Sequence, residues 1–122
     1  MLNPPPSTRI YLCSEAVDMR KSFDALSGLI STHFGQNPLN GHLFVFLSKQ
    51  RDRMKVLFWE IDGFVLYYKR LESGTFVCLD ELQAGNNNEI LASDFALILS
   101  GINPSTGKKQ KRFRRLPELS SV

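Results

Sequence analysis

The stretch Gly41–Phe76, GHLFVFLSKQRDRMKVLFWEIDGFVLYYKRLESGTF, decides how this chain is read. In His42–Ser48, Leu43, Val45 and Leu47 alternate with Phe44 and Phe46, so both faces of the predicted strand are apolar. Such a strand belongs in the middle of a sheet covered on both sides. Lys49–Arg53 reads as a hairpin turn and Met54–Ile61 as the return strand. Met54, Val56 and Phe58 share one face; Arg53, Lys55, Leu57 and Trp59 share the other. Gly63–Glu72 is open to two readings. As a helix it puts Phe64, Tyr68 and Leu71 on one stripe, with Asp62 as N-cap and Gly74 as C-terminal stop, and that punctuation favours the helix. As a strand it sets Val65 and Tyr67 against Phe64, Leu66 and Tyr68, and the fold becomes an α+β meander with helices on one face.

Upstream, Met1–Ser7 is a Pro-rich leader expected to be extended. Thr8–Ser14 reads as a strand. Asp18–Phe34 reads as a helix through Met19, Phe23, Leu26, Ile30 and either His33 or Phe34, with Asp18 at the positive end of the helix dipole and Gly35 and Pro38 beyond the other end. Gly28, inside that helix, suggests close packing on a sheet. Downstream, Thr75–Leu79 reads as a short strand, residues 85–88 as a loop, and Leu91–Ile102 as a helix closed by Gly101. The order is β-α-β-β-α-β-α, a single compact α+β domain over residues 8–102. Its first six elements have the order of a ferredoxin-like sandwich. Residues 103–122 are expected to form a flexible basic tail.

The chain has 122 residues, enough for one domain with a sizeable core. No apolar run approaches the roughly 20 residues of a membrane span, and the first residues lack the pattern of a secretory signal. Cys13 and Cys78 have no CxxC partners and read as reduced, buried thiols. These features point to a cytoplasmic protein. The net charge of +3 is unevenly spread: six of the fifteen basic residues fall in 108–115, and the rest of the chain carries nine basic residues against twelve acidic ones. A run of that kind reads as a phosphate-contacting arm.

No convincing catalytic set is present. Glu60 and Asp62 are the best carboxylate pair for a metal-dependent nuclease, yet Asp62 already has a structural reading beside Gly63. His33 and His42, the only histidines, lack further ligands at metal-binding spacing. Tyr11, Tyr67 and Tyr68 have no histidine cluster to serve a tyrosine nucleophile. No catalytic residue, metal or cofactor is therefore expected. What remains is cationic: Arg20 and Lys21 at the start of the first helix, Lys49, Arg51, Arg53 and Lys55 around the hairpin, Lys69 and Arg70 after the third apolar run, and Lys108, Lys109, Lys111, Arg112, Arg114 and Arg115 in the tail. These are the candidate DNA-binding residues. The competing readings are pairing of Arg20 or Lys21 with Asp18 or Asp24, and an ordinary solvated hairpin turn.

Five blocks occur in one order: Thr8-Arg9-Ile10-Tyr11, Asp18 to Asp24 (DMRKSFD), Gly41 to Phe46 (GHLFVF), Asp52 to Trp59 (DRMKVLFW), and Asp62 to Phe76 with its YKRLExGxF segment. Through them the chain resembles the small TnpB-type accessory protein of insertion sequence 66 family elements. The resemblance implies a bacterial mobile-element protein acting in transposition, with a separate transposase and other element-encoded proteins as partners. It supplies no catalytic residues. Arg20, Lys21, Arg53, Lys55, Lys69 and Arg70 fall in the matching blocks. The expected function is that of a non-catalytic, nucleoid-associated accessory protein that binds the DNA of the element ends, the transposase, or both. The alternative is an adaptor that touches DNA little and uses Trp59, Leu57, Tyr67 and Tyr68 as anchors.

Overall fold

The computed structural model describes residues 4–82 and 87–115. The elements are β1 (Ile10–Leu12), α1 (Phe23–His33), β2 (Leu43–Leu47), β3 (Arg53–Glu60), β4 (Gly63–Arg70), a 3-10 turn at Leu79–Glu81, β5 (Glu89–Ile90) and α2 (Ala92–Ser100). They form one mixed sheet in the order β4-β3-β2-β1-β5, so the chain is a single α+β domain, as its sequence implies. β1 and β2 are parallel neighbours joined through α1; β2, β3 and β4 run on as an antiparallel meander.

Gly63–Glu72 is thus not a helix. Its register on β3 is continuous from Glu60 opposite Gly63 to Arg53 opposite Arg70. As a strand it completes two cores at once, which a helical stripe could not. Phe64 and Leu66 pack on one face of the sheet and Tyr67 on the other. Asp62 is consequently a turn residue rather than an N-cap. Thr75–Leu79 is not a strand: residues 75–78 are irregular and Leu79 opens the 3-10 turn, though Phe76 and Val77 are fully buried. Without a second crossover helix, the ferredoxin-like arrangement is absent: β1 and β2 are adjacent instead of being split by another strand.

β2 is the central strand expected, buried along its whole length. On one face Phe44 and Phe46 meet Leu26 and Ile30 of α1, together with Tyr11, Cys13 and Leu57. On the other, Leu43, Val45 and Leu47 meet Phe95 and Ile98 of α2, together with Met54, Val56, Phe76 and Val77. The helices therefore cover opposite faces, not one. Phe34 sits edge-on to Tyr11, Phe44 and Phe46 and closes the first core. Gly28 faces open space, so helix packing places no demand on it.

α1 begins at Phe23, five residues after the start expected from periodicity. Asp18 keeps 18–22 out of the helix. Its carboxylate accepts from the Arg20 backbone N–H at 2.9 Å, and its carbonyl accepts from the Lys21 N–H at 3.0 Å. Such local side-chain bonds offer the backbone an alternative to the helix ladder. Arg20 and Lys21 thus precede the helix and do not oppose its dipole.

α2 ends as expected at Gly101, which takes the left-handed conformation with φ 83°. The chain beyond it lies against the body. Ile102 bridges Lys109, Gln110 N–H donates to the Gly101 carbonyl at 2.7 Å, and Ser105 Oγ donates to the Glu81 carbonyl at 2.8 Å. Residues 103–115, expected as part of a tail, therefore include a strap that returns across the end of α2. Residues 116–122 and 83–86, which hold part of the expected tail and loop, lie outside the described residues.

Candidate nucleic-acid interface

Two loops and one strand build the principal groove, an open cleft of about 870 Å³. The 16–20 segment forms one wall, the β2–β3 turn forms the other, and Tyr68 of β4 closes the side. Each wall has a sequence-level cause. The turn is held by Ser48, whose hydroxyl accepts from the Arg53 N–H and donates to Asp52, both at 3.1 Å. The 16–20 segment is held by Lys55. This lysine is only 5% exposed. Its Nζ donates to the carbonyls of Met19 and Lys21, each at 2.7 Å, and lies 4.6 Å from the centre of the Tyr68 ring. Those carbonyls are open to it because Asp18 has kept the segment out of the helix.

Arg20, Lys49 and Arg53 line this groove. Arg20 is tied to Asp18 through both carboxylate oxygens, with a closest approach of 2.6 Å. That guanidinium holds the Asp18 carboxyl at about 2, well below the usual carboxylate range. Arg53 has no ion pair among the described residues. It stands directly opposite Arg70 in the β3–β4 register, an unfavourable placement for two like charges. A smaller cleft of about 290 Å³ runs between them, lined by Arg53, Tyr68, Arg70 and Glu72. A third, of about 190 Å³, continues from Arg70 and Lys69 to Arg112 and Arg114. Shared residues join the three: Arg53 and Tyr68 the first two, Arg70 and Glu72 the second and third. The result is a cationic band that passes round the β4 edge of the sheet. Glu72 pairs with Arg70 at 3.0 Å and raises the guanidinium's already high pKa.

The other sequence-selected cations fall outside the band or serve the fold. Lys55 is internal and is removed from any accessible set. Arg51 turns to the opposite side of the hairpin, where its Nη1 reaches Cys78 Sγ at 3.2 Å and Glu81 at 2.5 Å. Arg112 is half-buried. It donates to the carbonyls of Thr75 at 3.0 Å and Ile98 at 3.4 Å and covers the Phe76 ring. Burial lowers its pKa, and nearby Arg114 adds to the effect. Arg114 donates to the Ser100 carbonyl at 2.8 Å. Lys21, Lys108, Lys109, Lys111 and Arg115 are exposed. Tyr68 is 49% exposed. The sequence pattern groups it with the anchors, whereas its place between Lys55 and the two arginines depends on cross-strand register. Of the other anchors, Leu57 is fully buried, while Trp59 is half-buried edge-on to Phe64.

His33 Nε2 lies 3.3 Å from Ser14 Oγ, and His42 Nδ1 accepts from the Arg9 N–H at 3.0 Å. Among the described residues no three His, Cys, Asp or Glu side chains come together to hold a metal ion, and no helix is long and apolar enough to cross a membrane.

Against this geometry the comparisons with known proteins are decisive for family. The family described as IS66 Orf2 like protein matches residues 8–109. The chain belongs to the IS66 Orf2-like family. Two proteins of Sinorhizobium fredii (strain NBRC 101917 / NGR234) are similar along nearly their whole length. Uncharacterized protein y4jC is 28% identical over 110 residues, covering 90% of this chain and 92% of its own. Uncharacterized protein y4hO is 31% identical over 103 residues, covering 84% and 88%. No solved structure matches the chain significantly. Membership associates the chain with IS66 transposable elements as an accessory protein. The match runs past Ile102 to residue 109, so it includes the bridge between Ile102 and Lys109.

Proposed function

We propose that this IS66 Orf2-like protein is a non-catalytic accessory factor of transposition that holds DNA along the cationic band. The observation that carries the proposal is the facing pair Arg53 and Arg70. Glu72 offsets Arg70 at 3.0 Å but leaves Arg53 without an ion pair among the described residues, so the pair keeps a net positive charge and flanks a half-exposed tyrosine in a continuous cleft. Phosphate contacts place a protein on DNA without reading its sequence. The band therefore supplies affinity and orientation, while choice of site falls to the transposase or to base contacts elsewhere. Lys108, Lys109 and Lys111 lie outside these clefts but are exposed and offer further positive charge to a phosphate backbone.

The test measures binding of a duplex carrying an element end, and of an unrelated duplex, across a salt series. Replacing Lys49, Arg53 and Arg70 by Gln should weaken both about equally and flatten the log–log salt slope by about 0.9 for each phosphate no longer neutralised. Replacing Lys108, Lys109 and Lys111 by Gln should flatten it further. Cutting the chain after Ile102 is a poor substitute, because it also removes the hydrogen bonds of Arg112 to Thr75 and Ile98. Unchanged affinity and slope in both variants would refute the DNA role. Binding only in the presence of the transposase would favour the adaptor reading, for which Trp59 and Tyr68 remain partly exposed.

A further inference from the structure

The outer side of β4 is an edge of a kind that sheets rarely leave bare. It is eight residues long, contains no proline, and pairs with β3 at every position without a bulge. The opposite edge of the sheet, β5, has only two residues. Among the described residues no backbone group bonds to the outer side of β4. Edges are ordinarily blunted by shortness, proline, bulges or charge. Here charge is confined to the two ends. Glu60 and Asp62 lie at the turn end, and Lys69 and Arg70 at the other.

The phase of the ladder fixes which groups face outward. Glu60 and Gly63 close a two-residue turn as a hydrogen-bonded pair, and the Leu71 N–H donates to the Asp52 carbonyl at 2.7 Å in the same phase. Phe64, Leu66, Tyr68 and Arg70 therefore turn their N–H and C=O groups away from β3. A strand with acids at one end, bases at the other and an uncharged middle is complementary to itself when antiparallel.

We propose that β4 pairs with β4 of a second copy, Leu66 opposite Leu66, so that two five-stranded sheets become one. This register sets Phe64 opposite the partner's Tyr68 and Asp62 opposite the partner's Arg70, each twice. Arg70 is then shared between Glu72 and the partner's Asp62. Sliding the pair so that Arg70 faces the partner's Phe64 instead would set Asp62 against the partner's Glu72, so charge selects the first register. The two-fold axis is perpendicular to the sheet, and the large grooves of both copies open on the same face. The dimer shares Arg70 and the β4 edge with the cationic band, so it would cover the part of the band that crosses that edge while leaving the groove of Arg20, Lys49 and Arg53 open.

Sedimentation of the full chain across a concentration series should show a reversible change from 13.9 kDa to twice that mass. Asp62→Lys and Arg70→Glu should each weaken self-association by about tenfold or more, since attraction becomes repulsion at two symmetric places. An equimolar mixture of the two variants should dimerise again. In the mixed pair the introduced lysine faces the introduced glutamate, and the unaltered Asp62 of one copy still faces the unaltered Arg70 of the other. A chain that stays monomeric up to about 1 mM would overturn the proposal. So would self-association indifferent to both changes, or variants that fail to complement. Asp62→Lys leaves the groove cations in place, so loss of the dimer with DNA binding retained separates this inference from the proposed function.

Discussion

Replacing Lys55 by Met removes the ammonium group, keeps a side chain of similar reach and leaves the rest of the sheet intact. The lysine makes two hydrogen bonds of 2.7 Å to carbonyls and one ring contact at 4.6 Å. Hydrogen bonds to a charged group contribute about 1.5–3 kcal/mol each, and a cation over an aromatic face about 0.5–2 kcal/mol. Against this, a buried charge no longer has to be desolvated, which returns part of the sum. The partners are not replaced, however: the carbonyls of Met19 and Lys21 stay and must find water. A net loss of about 2–3 kcal/mol follows, which at a urea dependence of about 1.5 kcal/mol/M lowers the unfolding midpoint by roughly 1–2 M. Hydrogen exchange should locate the damage. The Arg20 and Lys21 amides should lose protection while the β2–β3 ladder keeps it. DNA affinity should fall too, because Arg20 rides on the released segment. A stability change below about 0.5 kcal/mol, with the 18–22 amides unaffected, would show that Lys55 does not hold this wall of the groove.

Other consequences are as direct. A Cβ on Gly74, at φ 84°, would clash with the Lys111 carbonyl oxygen, so Gly74→Ala should cost more than about 2 kcal/mol and release the 108–112 strap to proteolysis. Gly107→Ala, at φ 70° with open space around it, should cost only about 1 kcal/mol and is the matched control. Ile61 is β-branched, 90% exposed and at φ 52°, so Ile61→Asn should raise stability by up to about 1 kcal/mol in thermal or urea unfolding. The Asp18 carboxyl, depressed to about 2 from its ordinary 3.8, contributes stability that is present above its ordinary value and is lost as pH falls through about 2. Arg20→Ala should return its NMR titration midpoint towards 3.8 and weaken that pH dependence, the Arg20 backbone N–H and Lys21 being left in place.

The β2–β3 hairpin was legible because its signals are local. Alternation on both faces of β2 specifies a doubly covered strand, and burial of all five residues follows. Gly101 closes α2 because a left-handed residue is needed there and glycine alone adopts it without strain. Helix punctuation misled at Gly63–Glu72. Asp62 and Gly74 suit helix ends, but Gly74 is kept by the approach of the Lys111 carbonyl, and Asp62 by a two-residue turn. Both reasons lie in residues distant along the chain or across the sheet, out of reach of a local pattern.

The same division runs through the site. The order of residues is enough to yield the family blocks, the excess of cations at residues 108–115, and a central strand buried on both faces. Which of those cations can act together is settled in three dimensions. Register placed Arg53 opposite Arg70 and joined the grooves; burial withdrew Lys55; pairing with Cys78 and Glu81 turned Arg51 away. The physical reason is that charge is a property of a residue, whereas convergence is a property of strand pairing. A shift of one residue in the β3–β4 ladder would send the whole set to the other face.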